Sequence, residues 1–330
     1  MAAIVTGSTG QDGSYLCELL LEKGYHVKCL SRRNIDNHHQ NVTNYQGNVT
    51  DQEIIEKMIN DCDEYNHVEI YNLAAHSQFD FYLQFPKCTF EVNTLGILNI
   101  LETVRKNKNP KKFRIFQASS SEMFGNVNEF PQNEQTPFNP KTIYGVSKVS
   151  AHLLVKTYRE KYDIHASSGI LFNHESPRRG NNFVTKKIVE TLKNIFNGKS
   201  NILEIGNLST KKDWGHACDY VESMWMMLQQ EKPGDYVVAT GKTYSVREFI
   251  ELTVNKMGKK IHWEGDGETE VGIIDKEIVV KVSQEFYRPY DKCPLVGDNR
   301  KIRTIGWSPK NDIHTLIQDM LKKNNSTNKR

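Results

Sequence analysis

No stretch of the 330 residues approaches the ~20 consecutive apolar positions of a membrane helix, so no spanning segment is expected. No charge sign dominates: 43 basic residues face 40 acidic ones, a net charge of +3. With no basic patch or long charge run, neither nucleic acid nor a membrane surface is an expected partner. No Cys-x-x-Cys occurs. The six cysteines, Cys17, Cys29, Cys62, Cys88, Cys218 and Cys293, are scattered. That argues against a zinc site or a disulfide scaffold and for reduced thiols in a cytoplasmic protein. No metal site is expected. There is no internal repeat, and no basic n-region or cleavage site, so no secretory signal is expected. What remains is 38% hydrophobic and 25% charged, enough to bury a core as one large or two modest domains.

Short β-branched or apolar runs alternate with helical patterns through the first half. Strands are expected at Ala2–Thr6, His26–Leu30, Glu69–Leu73, Arg114–Ala118 and Ala166–Phe172. Helices are expected at Ser14–Lys23, Gln52–Asp61, Phe90–Asn107 and Tyr144–Lys161. Such alternation predicts an α/β fold with a doubly wound parallel sheet of the Rossmann type. Beyond Phe172 the pattern loosens, with helices near Thr185–Phe196, Tyr220–Gln230 and Val246–Met257. The expected organisation is a dinucleotide-binding domain over residues 1–172 with a return at about 211–242. A smaller α/β substrate lobe takes 173–210 and 243–330. The polar tail Lys322–Arg330 reads as disordered.

The first strand runs into Gly7-Ser8-Thr9-Gly10-Gln11-Asp12-Gly13 and then a helix. Gly7 permits a tight turn, Gly10 a close backbone approach to a pyrophosphate, and Gly13 close packing of helix on strand. The phosphates would meet free N–H groups at the helix N-terminus. An NAD-binding chain usually carries an acid at the end of the second strand. Here Leu30 is followed by Ser31, Arg32 and Arg33, with no acid until Asp36. Two guanidiniums suit a 2′-phosphate, so NADP is expected rather than NAD; the alternative is that both are solvated surface charges.

Tyr144 and Lys148 stand four apart on a predicted helix, hence on one face. A neighbouring ammonium and an oxidised nicotinamide would lower the phenol pKa and make Tyr144 a base. Ser119, Ser120, Ser121 and Glu122 end a strand where this fold places chemistry. Hydroxyls beside a carboxylate suit substrate orientation and proton transfer, but the run fits a turn or helix cap equally well.

Together these residues resemble the extended short-chain dehydrogenase/reductase superfamily. Four runs are similar to the GDP-mannose 4,6-dehydratase family within it. They are Thr6 to Leu16, Gln117-Ala118-Ser119-Ser120-Ser121-Glu122, Ile170 to Gly180 with its Asn-His-Glu-Ser-Pro-Arg-Arg-Gly, and Asp213-Trp214-Gly215-His216-Ala217. The resemblance covers about residues 2 to 320. It implies conversion of GDP-D-mannose to GDP-4-dehydro-6-deoxy-D-mannose, with hydride passing from C4 to C6 through NADP. That is the first step toward GDP-fucose- or GDP-rhamnose-type deoxysugars. By the resemblance Tyr144 with Lys148 acts at O4, Ser120 sits by the ketone, and Glu122 removes the C5 proton. Cofactor contacts would fall on Gly7 to Gly13, Arg32, Arg33, Asn48, Val49, Leu73, Ala74, Ala75, Ser77, Cys88, Tyr144, Lys148, His174 and Arg179. The GDP-sugar would meet Ser77, Asn173, Val184, Lys187, Lys212, Arg247 and Arg288.

Several positions depart from the family pattern. Ser120 replaces a Thr, Asn48-Val49 an Asp-Leu, Cys88 a Tyr, and Lys212 an Arg, which loses bidentate phosphate binding. Only 13 residues separate Arg33 from Gly47, so the family's long tetramer-forming loop is shortened. A homo-oligomer is expected, a dimer through the Phe90–Asn107 and Tyr144–Lys161 helices rather than a tetramer. The alternatives are another nucleotide-sugar dehydratase, a 4-epimerase, or a non-catalytic NADP sensor. Ser121 stands where a dTDP-glucose dehydratase has Asp, and a 4-epimerase has no use for Glu122. A reductase side activity stays open.

Overall fold

The computed structural model describes residues 1–33, 39–127, 129–200, 202–287 and 294–322. Its first six strands are β1 (Ala2–Thr6), β2 (His26–Ser31), β3 (Val42–Gln46), β4 (Val68–Asn72), β5 (Phe113–Ser120) and β6 (Ala166–Leu171). Three short strands, β7 (Asn173–Glu175), β8 (Leu203–Ile205) and β9 (Lys211–Lys212), lead to β10 (Trp214–His216) and β11 (Asp235–Val238). One sheet of seven runs β3-β2-β1-β4-β5-β6-β11, with every neighbouring pair parallel.

Period-two alternation distributes the strand side chains between two layers of helices. On one face, Ala2, Ile4, Ile70 and Ile115 pack against α2 (Gln52–Asn60), α5 (Gly96–Lys106) and α6 (Ile143–Tyr162). Met58, Ile97, Leu101 and Val155 fill that layer. On the other face, Ala3, Val5, Tyr71 and Phe116 meet Leu16 and Leu20 of α1 (Gln11–Glu22) and Met224 and Met227 of α8 (Ala217–Leu228). Each such aliphatic side chain contributes about 1.5–3 kcal/mol when fully buried. Between α2 and α5 the chain forms α3 (Phe79–Gln84), α4 (Pro86–Phe90) and one π-helical turn, Glu91–Leu95.

A second core lies under a four-stranded sheet of β13 (His262–Glu264), β14 (Val271–Ile274), β15 (Glu277–Val282) and β8. Ile188 and Leu192 of α7 (Val184–Phe196), Phe249 and Ile250 of α9 (Val246–Lys256), and Leu316 and Ile317 of α11 (Ile313–Leu321) close it. Short pairings join the segments between: β10 with β7, and β12 (Tyr244–Ser245) with β9. The last small helix, α10 (Arg300–Arg303), places Ile302 back in the core of α1 and α8.

The structure moves several sequence boundaries. α1 starts at Gln11 rather than Ser14, because Gly10 is its extended cap residue (φ −73°, ψ 175°). β3 was not foreseen; it is an edge strand with half-exposed side chains and no apolar run. The expected helix Phe90–Asn107 begins as α4 and a π turn. Asp36, Cys293, Arg288 and all of the polar tail after Lys322 lie outside the described residues. Among the described residues no helix is long and apolar enough to cross a membrane.

Candidate active site

β1 and β4 are adjacent, yet their connections leave in opposite directions, and open sheets of this kind bind ligands in the crevice at the carboxyl ends of such strands. Three side chains join the strand ends there. Thr6 Oγ1 donates to Asn72 Oδ1 (2.8 Å) and accepts from the amides of Leu73 and Ala74 (3.1 Å each). Asn72 Nδ2 donates to Gln117 Oε1 (2.8 Å). The glycine loop lies on this floor. Gly7 has φ +69°, and a Cβ on it would stand 2.9 Å from the Ala74 amide nitrogen. A Cβ on Gly13 would stand 2.3 Å from the Gly7 carbonyl. No side chain caps α1, so its first amides remain available to an anion. The Leu30 carbonyl accepts from Gly7 N (3.0 Å) and Ser8 N (3.4 Å), which ties the loop to β2. Thr9 Oγ1 lies 3.3 Å from Ser31 Oγ, and the exposed Arg32 and Arg33 follow at the strand end.

Most of the remaining expected cofactor positions follow β3 or β4 in the chain. Asn48 Oδ1 accepts from the Thr50 amide (3.2 Å), and Val49 packs under Gly96. Leu73, Ala74 and Ala75 are half-buried after β4, whereas Ser77 is exposed. Cys88 Sγ lies 3.9 Å from His76 Nε2, and the His76 ring stacks on Phe81 at 4.2 Å. Burial, then the charge of Arg32, lowers the His76 pKa. The sequence reading missed Asn93, which the π turn aims inward. Its Oδ1 accepts from His76 N (2.9 Å), and its Nδ2 donates to the His76 carbonyl (3.3 Å) and Ser147 Oγ (2.9 Å). It thereby joins the loop after β4 to α6. Nothing in a local apolar pattern marks it.

Helix α6 begins with Thr142, whose Oγ1 accepts from the Gly145 amide (2.9 Å). Tyr144 and Lys148 follow one turn apart, with the ammonium 5.7 Å from the Tyr144 ring centre. Lys148 Nζ donates to the Ala118 carbonyl (2.8 Å), and burial pulls its pKa down to about 8. Tyr82 stacks over Tyr144 at 6.0 Å. The sequence implied a lowered phenol pKa, but the chain alone does the reverse. Burial pushes Tyr144 up to about 12; a hydrogen bond with Ser120 and the charge of Arg179 only partly oppose it, and Glu122 adds to it. Ser120 fills the cap reading of its motif: its Oγ accepts from the Glu122 amide (3.2 Å), capping the 3-10 turn Ser121–Met123. Glu122 Oε1 lies 4.0 Å from Lys212 Nζ.

His174, on β7, closes the crevice. Its Nδ1 donates to the Phe172 carbonyl (2.7 Å) and its Nε2 meets Asp12 Oδ2 (2.8 Å). Two acceptors on two ring nitrogens assign the imidazolium form. Burial opposes that charge, but Asp12 outweighs it, so the His174 pKa is raised. Gln11 Nε2 donates to the His174 carbonyl (3.0 Å), and its Oε1 accepts from Ser176 (2.8 Å). Arg179 Nε lies 3.0 Å from Glu175 Oε2, and its guanidinium covers the Phe183 ring at 3.6 Å.

The residues expected to meet the GDP-sugar are more dispersed. Asn173 is half-buried on β7. Val184 opens α7, and Lys187, in the same turn, places Nζ 3.4 Å over the Phe286 ring. Lys212 belongs to both regions: its backbone pairs with Tyr244 and its ammonium approaches Glu122. Beyond it, Arg247 pairs with Glu270 (2.6 Å) and lines a cavity of about 270 Å³ with Ser209, Lys211, Ser245 and Glu248. Ser209, Lys211 and Ser245 went unremarked in the sequence, although Ser-x-x-Glu at Ser245–Glu248 is a legible capping box. Among the described residues no group of His, Cys, Asp or Glu is arranged to hold a metal ion.

Comparison with known proteins fits this geometry. A family model described as GDP-mannose 4,6 dehydratase matches residues 4–320. The GDP-mannose 4,6 dehydratase of Drosophila melanogaster is 43% identical, over 97% of this chain and 85% of that one. Among solved structures, the dTDP-glucose 4,6-dehydratase of Bacillus anthracis in complex with NAD superposes with a TM-score of 0.79 at 20% identity, covering 97% of this chain and 95% of that one. RMD of Pseudomonas aeruginosa complexed with NADPH gives 0.76 at 19% identity, covering 97% of each. At such identities the likeness establishes the fold.

Proposed function

The chain belongs to the GDP-mannose 4,6-dehydratase family, and from that premise we propose that it converts GDP-D-mannose to GDP-4-dehydro-6-deoxy-D-mannose as an NADP-dependent hydro-lyase. The observation that carries this reading is the convergence of Tyr144, Lys148, Ser120 and Glu122 beside the glycine loop.

The loop fits a dinucleotide: space that any side chain at Gly7 or Gly13 would fill, facing uncapped α1 amides. Bound there, the oxidised cofactor supplies a hydride acceptor for C4, a hydride for return to C6, and a positive ring that lowers the Tyr144 pKa. Tyr144 takes the O4 proton, and the Lys148 ammonium beside it favours the phenolate. Ser120 hydrogen-bonds the new C4 oxygen. C5–H, now next to a ketone, becomes acidic enough for Glu122 to remove, and water departs from C6. Lys212 offsets the charge of Glu122.

Arg32 and Arg33, exposed at the end of β2, support a 2′-phosphate and hence NADP. To the GDP-sugar the same reading assigns Ser77, Asn173, Val184, Lys187, Lys212, Arg247 and Arg288. A dimer is supported by exposed apolar side chains on adjoining elements: Ile143, Val146 and Leu153 of α6, with Phe90 and Leu95 beside them. A cytoplasmic location belongs to the same reading.

The test is incubation of the purified chain with GDP-mannose and NADP. A 4-keto sugar absorbing in alkali is expected, and recovery of unchanged or epimerised sugar would overturn the reading. Native mass spectrometry of the same sample reports bound NADP and subunit number.

A further inference from the structure

Cys17 and Cys29 face each other where α1 packs on β2, with their sulfurs 3.6 Å apart. Both are free thiols. Cys29 is 3% exposed and Cys17 is partly exposed, so a small oxidant enters from the Cys17 side. Of the two elements they join, α1 follows the phosphate loop and β2 holds that loop through the Leu30 carbonyl. Cys17 is in the second turn of α1, the helix whose first amides face the loop. Cys29 immediately precedes Leu30, whose carbonyl holds the Gly7 and Ser8 amides, and lies three residues before Arg32.

We propose that Cys17 and Cys29 are a modification site: hydrogen peroxide converts them to a reversible disulfide that loosens the cofactor site. The contact between the two sulfurs holds the Cys29 pKa below that of an ordinary thiol despite burial. The Cys29 thiolate attacks one peroxide oxygen. The O–O bond breaks, Cys29 becomes a sulfenic acid, and the departing hydroxide takes the Cys17 proton to form water. The Cys17 thiolate then attacks the Cys29 sulfur. The S–O bond breaks, the S–S bond forms, and hydroxide leaves to be protonated by solvent. Two thiols are oxidised by two electrons and one peroxide is reduced to two waters. A thiol reductant reverses the bond by exchange.

The bond draws the sulfurs together by about 1.5 Å. That movement acts on a tightly folded turn, where a single carbon at Gly13 would lie 2.3 Å from the Gly7 carbonyl. Passed along β2 to the next residue, the movement displaces the Leu30 carbonyl that holds the Gly7 and Ser8 amides, and NADP binding weakens.

The bond itself is independent of the catalytic reading; its effect on the cofactor rests on that reading. The experiment treats the purified full chain with hydrogen peroxide, alkylates without reduction, and maps peptides by mass. We expect a loss of two hydrogens, a linked Cys17–Cys29 peptide, and an NADP dissociation constant raised about tenfold and restored by dithiothreitol. Cys17→Ser and Cys29→Ser should lose both responses. Cys17→Ser, changed at the partly exposed member, serves as control should Cys29→Ser fail to fold. Recovery of both cysteines alkylated, over-oxidised or bonded elsewhere overturns the proposal. A mapped Cys17–Cys29 bond with unchanged NADP binding overturns the coupling alone. Reduced protein that does not bind NADP overturns the cofactor reading and leaves the bond result standing.

Discussion

Asp12 and His174 stand 162 positions apart in the chain and 2.8 Å apart in space. The pair fastens the phosphate loop to the segment after the sixth strand. It also keeps the imidazole charged beside Tyr220, which stacks on it at 4.5 Å.

Asp12→Asn should therefore cost about 2 kcal/mol in urea unfolding, because the buried imidazole loses its counter-charge. The pH dependence has a definite sign. The Asp12 pKa is lowered from 3.8, so its share is present above that value and lost as the pH falls through the folded value. The His174 pKa is raised from 6.5, so its share is complete below 6.5 and lost as the pH rises through the folded value. The gap between wild type and variant should be widest between these limits and close both below the folded Asp12 value and above the folded His174 value. A gap that does not vary with pH would refute the charged pair.

Glu122→Gln should slow dehydration by about 10²- to 10⁴-fold, the usual range for a general base. Hydride removal from C4 should persist, because Tyr144 and Lys148 are untouched. Transfer of deuterium from C4-labelled sugar to NADP separates the two steps. Dehydration at the wild-type rate would assign the base elsewhere.

Lys148 is buried with its pKa drawn from 10.5 down to about 8. Between those values the unfolded chain holds more protons than the folded one, so stability rises with pH across the window. Lys148→Met should lack this rise, making the wild type gain about 3 kcal/mol relative to the variant from pH 8 to 10.5. Paired melts at the two pH values measure it, and parallel curves would show that the ammonium is already solvated. The same variant should lose at least about 10²-fold in turnover.

Val146→Asp with Leu153→Asp places two charges on the exposed face of α6. If the proposed dimer forms through this face, sedimentation should show a dimer for the parent and monomers for the variant, with little change in the melting of the single chain. An unchanged assembly would place the interface on another face.

The five inner strands of the large sheet that the sequence revealed share one property: they are buried on both sides. Ala2–Thr6 and Val68–Asn72 have no exposed residue, so apolar and β-branched side chains predominate, with Glu69 and Asn72 held by buried hydrogen bonds. Val42–Gln46 lies at the edge, with Thr43, Asn44 and Gln46 exposed, and its composition is that of a loop. The site divides in the same way. Tyr144 and Lys148 were legible because helical spacing unites them, and the glycines because a turn demands them. Asn93 was not, since a π turn changes which face a residue occupies. Nor was the meeting of Cys17 with Cys29, which depends on how α1 lies on β2.

The strand Asp235–Val238 closes the edge of the large sheet only after the chain has visited the other lobe and come back. Neither portion is thus a continuous length of polypeptide. A break after Leu171 would strip the edge partner from Ala166–Leu171 and bare its amides to any passing strand. A single cut and rejoining of the chain therefore cannot exchange one portion and leave the other whole.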